Sequence, residues 1–119
     1  MEIITFVRRG AITHKDSHGN AGRTAAGDLQ VMSAGSGIAH SEYNLEDEES
    51  HSYQIWIEPR EKGIKPRWDS REFPKAPVSD SLPLLVSGDG KAPLHINADA
   101  FIYGGRIEAG HKISQAIDG

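Results

Sequence analysis

Cysteine is absent from these 119 residues, which removes a disulfide framework, a thiol nucleophile and a thiolate metal site together. Any metal must therefore be held by histidine, aspartate or glutamate. Runs of positive charge are also missing: 13 Lys+Arg stand against 17 Asp+Glu, a net charge of −4, and nothing resembles the basic stretches that track phosphates. Nucleic acid is not expected as a direct partner. No apolar run approaches the roughly 18 residues that a spanning helix requires, and the N-terminus lacks a basic-then-apolar leader pattern. The expectation is a soluble cytoplasmic protein with no membrane partner. Phosphate-binding loops, serine nucleophile elbows and His-Glu zincin patterns are not found, and no segment repeats at convincing helical period.

What is present is a series of short strands. Glu2 to Val7 is β-branched and aromatic and ends at Arg8-Arg9-Gly10, and Ala11 to His14 reads as a second strand. Residues 16 to 22 (DSHGNAG) are turn chemistry, followed by a strand at Leu29 to Ser33. Four consecutive acids at 46 to 49 form an exposed, self-repelling loop. Ser52 to Glu58 alternates clearly, and Pro59 closes it. From Arg60 to Pro83 the prolines and charges predict a long connection. Further short apolar runs follow at Leu84 to Ser87, Leu94 to Ile96 and Ala100 to Tyr103. Many short strands with regular turns predict an all-β antiparallel sandwich or barrel.

The most informative stretch is GDLQVMSAGSGIAHSE, residues 27–42, which sets His40 and Glu42 two residues apart just past a glycine-punctuated strand. Alternate residues of a strand face the same way. An imidazole and a carboxylate on one face are two of the three or four ligands that a catalytic Fe, Mn, Cu or Zn site requires. For the remaining donors the sequence offers Glu2, His14, His51, His111 and the α-amino group of Met1, and spacing singles out none of them. Glu2 is read as a possible extra ligand, against the alternative of a solvent-facing glutamate at the chain end. Gln54, Trp56 and Met32 are read as pocket lining for a small aromatic ligand, although large aromatics on sandwich strands are more often core. His14 and His18 flank a hairpin and read most simply as surface residues. His51 follows the acidic loop, whose carboxylates favour its charged form.

The 27–42 stretch resembles the second conserved motif of the cupin superfamily and, in its wording, the pirin family, in which the histidine and glutamate of HSE bind metal. Glu2 and Gly10 match the remainder of the pirins' first motif, and Tyr53-Gln54-Ile55-Trp56-Ile57 resembles their Gln-Leu-Trp strand. The resemblance implies a cupin-type antiparallel β-sandwich or jelly-roll barrel. It also implies two further metal-binding histidines from an HPH tripeptide, whose place falls just before Met1. Pirins are two cupin domains in tandem. On that comparison residues 1–59 are a first cupin lacking its opening strands, 60–81 a connection, and 82–119 the start of a second cupin packed on the first or on a partner chain. The incomplete sandwich is expected to be completed in a homodimer that exchanges strands from 82–113. With half of the ligands missing, a divalent metal (Fe, or Mn, Cu, Zn or Ni) is expected to bind weakly or not at all. The first expectation for function is a non-catalytic module for assembly or for binding a small molecule or protein. The alternative is a metal-dependent dioxygenase acting on a flavonol such as quercetin, with His40 and Glu42 as ligands.

Overall fold

The computed structural model describes residues 1–116, and among them every regular element is a strand. The order is β1 (Glu2–Arg9), β2 (Ala11–Asp16), β3 (Ala21–Ala25), β4 (Leu29–Ser33), β5 (His40–Tyr43), β6 (His51–Ile57), β7 (Arg67–Arg71), β8 (Leu84–Ser87), β9 (Leu94–His95) and β10 (Phe101–Tyr103). They form a four-stranded sheet β6-β1-β4-β7 and two three-stranded sheets, β3-β2-β5 and β10-β8-β9. All pairings are antiparallel except β8 with β9. Among the described residues no helix is long and apolar enough to cross a membrane.

The four-stranded sheet is packed on both faces, and strand alternation decides what each face carries. Directly opposed residues of an antiparallel pair share a face. Ile4 opposes Val31 and Ile55, and Phe6 opposes Leu29 and Tyr53. On this face Ile4, Leu29 and Val31 form one buried cluster with Leu85, Val86, Leu94 and Ile96. The other face carries Thr5 opposite Gln30 and Gln54, and Ile3 opposite Met32 and Trp56. It receives the β3-β2-β5 sheet, through contacts described below.

Two glycines make the close approaches possible. Gly10 turns β1 into β2 at φ +75°, where a Cβ would stand 2.8 Å from the Glu49 carbonyl oxygen. Gly35, also at positive φ, sits against the Ile64 carbonyl so closely that no side chain fits. Ser36 N donates to the same carbonyl at 2.8 Å, pinning the turn before β5 to the chain that leads into β7.

Three expectations need correction or placement. The segment 60–81 is not a plain connection, because β7 lies within it and pairs along its whole length with β4. Its prolines fall outside the strand, and mixed charge hid the pattern. Of the two placements expected for the strands after residue 82, on the first part of the chain or on a partner, the structure has the first for Leu85, Val86 and Leu94, buried against β1 and β4, while Phe101 and Tyr103 are exposed. The final residues of the 82–119 segment, 117–119, lie outside the described residues.

Leu94 is fully buried in that shared cluster, so Leu94→Ala should remove about 2–5 kcal/mol of stability. Trp68, on β7, reports the other side of the molecule. Its fluorescence transition in urea should move to lower denaturant with the variant. An unchanged Trp68 transition would show that the segment after residue 82 folds apart from the four-stranded sheet.

Candidate metal centre

The β2 to β5 register places four ionisable side chains together. His14 opposes Glu42 and Asp16 opposes His40, so all four share the inner face of the β3-β2-β5 sheet. The Nε2 atom of His40 lies 3.7 Å from Glu42 Oε1, with side chains 33% and 19% exposed. The pair is thus seated in the fold with one side open.

Glu42 is held by two glutamine amides. Gln30 Nε2 on β4 donates to Oε2 and Gln54 Nε2 on β6 donates to Oε1, each at 3.4 Å. Gln54 Oε1 in turn accepts from Trp56 Nε1 at 3.2 Å, and Thr24 Oγ1 contacts Gln30 Oε1 at 3.3 Å. The carboxylate is therefore oriented by neighbours on three strands of two facing sheets, the arrangement that fixes a metal ligand from outside its coordination sphere. Gln54, Trp56 and Met32 share one face of the four-stranded sheet as the pocket reading requires. Their environments differ: Met32 is buried, whereas Trp56 is 62% exposed and is not core.

His14 is a surface histidine only in the sequence. It is fully buried, between the Trp68 ring at 4.8 Å and 6° and the His40 ring at 5.8 Å and 18°. These are stacked geometries. Its Nε2 is 2.8 Å from Asp16 Oδ2, and its Nδ1 has no partner among the described residues. Gly22 makes the stack possible, since a Cβ at that position would meet Trp68 Cη2 at 2.5 Å. Trp68, Gln30 and Thr24 escaped the sequence reading. Gln30 carried a usable signal, as a polar residue inside an apolar strand in step with the inward positions of β1.

Asp16 anchors the turn after β2, accepting from the amides of His18 at 2.8 Å and Asn20 at 3.1 Å. Burial pushes its carboxyl up, but bonds from His14, from the Asn20 side chain and from the two amides outweigh it, lowering the pKa from 3.8 to about 2.

Glu2 does not join the pair. It lies on the opposite face of the four-stranded sheet, beside Ser33 and Ile57 in register. It is neither solvent-facing nor a ligand for His40 and Glu42: fully buried, its Oε1 accepts from Ser33 Oγ at 2.6 Å and Asn97 N at 2.7 Å. His51 is exposed and stands 3.8 Å from Glu49. Among the described residues no group of three or more His, Cys, Asp or Glu is placed to hold a metal ion.

The donor pair fits a divalent metal in kind and falls short in number. Two donors of one ion, with bonds of about 2.1 Å, lie roughly 3.0–3.6 Å apart at ordinary angles. The 3.7 Å between His40 and Glu42 is close to that, and an N/O pair suits Fe, Mn, Ni, Cu or Zn.

The pirin family profile matches residues 1–57, and a pirin-like protein of Caulobacter vibrioides is 53% identical over 119 residues, covering 98% of this chain and 51% of the relative. This chain is pirin-like. A quercetin 2,3-dioxygenase of Escherichia coli K12 is 44% identical over 105 residues, covering 87% of this chain and 44% of that protein. The crystal structure of the bacterial pirin YhhW from Escherichia coli in complex with nickel(II) matches with a TM-score of 0.76 and 44% identity, over 87% of this chain and 44% of that one. The fold is thus the cupin fold of the pirins. The chain spans about half the length of these relatives.

Because the Asp16 pKa is lower folded than unfolded, the unfolded chain binds more protons in acid. The Asp16 contribution is present above pH 3.8 and lost as pH falls towards 2. Asp16→Asn should flatten this part of the acid limb by about 2 kcal/mol, read by urea unfolding between pH 4.5 and 2. An acid limb identical to that of the unsubstituted protein would show that the carboxylate is not held in this way.

Proposed function

We propose that this pirin-like chain carries part of a divalent-metal centre of the quercetin 2,3-dioxygenase type, with His40 and Glu42 as its protein ligands. The observation that carries the reading is the Glu42 carboxylate, seated 3.7 Å from His40 and bonded at both oxygens by Gln30 and Gln54. Support comes from a similar pirin whose structure contains nickel(II) and a similar protein named quercetin 2,3-dioxygenase. A bound metal would supply open coordination positions at which an oxygen-rich substrate is polarised.

The side chains supply the rest. Glu42 keeps its orientation through the two amides, and the ring stack Trp68-His14-His40 limits the plane of the imidazole. Trp56, exposed and linked through Gln54 to Glu42, offers a flat apolar platform beside the open side, suited to a flavonol ring. Among the described residues of one copy no further donor stands with the pair. A second copy is the source we propose, added along β6, an edge strand with an unpaired side and exposed Tyr53, Ile55 and Trp56. A purely non-catalytic binding or assembly role has no support in these comparisons.

Purified protein titrated with nickel(II) and iron(II) should bind metal, with binding abolished in His40→Ala and Glu42→Gln. Affinity should fall about tenfold in Gln54→Ala, as loss of a supporting hydrogen bond does. Quercetin consumption with added metal should depend on Glu42. Metal uptake that is unaffected by His40→Ala would overturn the assignment. Sedimentation equilibrium is expected to show a dimer at micromolar concentration. A monomer that binds metal stoichiometrically would remove the second copy as the donor source.

A further inference from the structure

On the face of the four-stranded sheet away from His40 and Glu42 lies an open cavity of about 920 Å³. Its wall is apolar, built from Phe6, Tyr53, Phe73, Val78, Leu84 and Leu85. Three cationic side chains, Arg8, Lys75 and Arg106, complete it, and no aspartate or glutamate lines it. That sign is against the trend of the chain, which carries 17 acids and 13 bases.

Only one of the three cations is neutralised. Lys75 is paired with Asp28. Arg8 Nη1 donates to the Tyr53 hydroxyl at 3.4 Å and has no carboxylate partner. The Arg106 side chain has no hydrogen-bond or ion-pair partner among the described residues, and its backbone is fixed by a bridge to Pro77 and a 2.8 Å bond from Val78 N. Two exposed guanidinium groups without acid partners among the described residues therefore border an apolar hollow of the size that takes a small organic molecule. Guanidinium groups bind carboxylates through paired, charge-assisted hydrogen bonds.

We infer that this cavity binds an amphipathic carboxylate, its apolar body against Phe6, Phe73 and Leu85 and its acid group at Arg8 and Arg106. The site is separate from the metal pair. β1 divides them: Phe6 and Arg8 point to the cavity while Thr5 lies on the face of Gln30 and Gln54.

Decanoate titrated into the 119-residue chain, followed by amide NMR, should shift Leu84, Gly104 and Gly105 and leave His40 and Glu42 unmoved. Decan-1-ol, with a similar apolar body and no charge, should bind at least tenfold more weakly. Arg8→Gln and Arg106→Gln should each reduce decanoate affinity about tenfold while leaving decan-1-ol within twofold, and because both arginines are exposed the variants should keep the parent spectrum. Equal binding of acid and alcohol, affinities unchanged in both variants, shifts confined to β5, or no binding at all would overturn the inference. So would a dimer whose formation moves the same cavity amides and excludes decanoate, since the occupant would then be a second copy of the chain.

Discussion

Strand β4 is the constraint on which the molecule depends. All five of its residues are buried, because a separate layer covers each of its faces. Alternation sends Leu29 and Val31 into the cluster with Leu85 and Leu94, and Gln30 and Met32 to the layer containing His14 and Glu42. A slip of one residue against β1 would drive the Gln30 amide into the apolar cluster and withdraw it from Glu42. Each misplaced buried polar group costs about 1–3 kcal/mol, so register and site geometry are stabilised by the same arrangement.

The two faces then differ in chemistry. One has an apolar centre of Ile4, Leu29 and Val31, with Glu2 and Ser33 buried at one end and charged side chains of β7 at its margin. The other concentrates buried polar atoms, and three of its side chains, Thr5, His14 and Trp68, have an N or O atom with no protein partner. Native interiors leave few such groups, and they collect where function rather than stability sets the residue. They lie in the layer that also carries His40 and Glu42, while the fourth such atom among the described residues, Glu2 Oε2, lies on the opposite face.

Much of this was legible in the sequence where local pattern and tertiary role coincide. β1, β4, β6 and β8 were read close to their observed bounds because their apolar and β-branched residues are buried or paired. β3 was hidden by Gly22, which was taken as turn chemistry, and its absent side chain is instead what admits Trp68. β7 was hidden by charge and proline around Trp68. For the candidate site, the His40 and Glu42 pair is legible from period-two spacing together with the motif around it. His14 was not, since a histidine flanked by Thr13 and Lys15 looks solvent-facing until the opposite sheet brings Trp68 down on it. Glu2 went wrong for a related reason: its face is set by pairing with Ser33 and Ile57, which no local pattern reveals.

Glu2 has a different role, as the polar link between the layers. Its Oε1 receives Ser33 from β4 and the Asn97 amide from the chain just after β9. Asn97 also binds Glu61 through its side chain, and its carbonyl accepts from Arg60 N. One buried carboxylate thus ties the first strand, the segment before β7 and the C-terminal sheet into a single network. A carboxylate buried with one oxygen unpaired is tolerable only if the bonds to its other oxygen are good, because the desolvation it suffers is several kcal/mol. Two donors at 2.6 and 2.7 Å meet that condition. The C-terminal sheet is therefore held to the first strands by directional bonds as well as by apolar contact, so the cavity wall formed by Leu84 and Leu85 is fixed relative to β1.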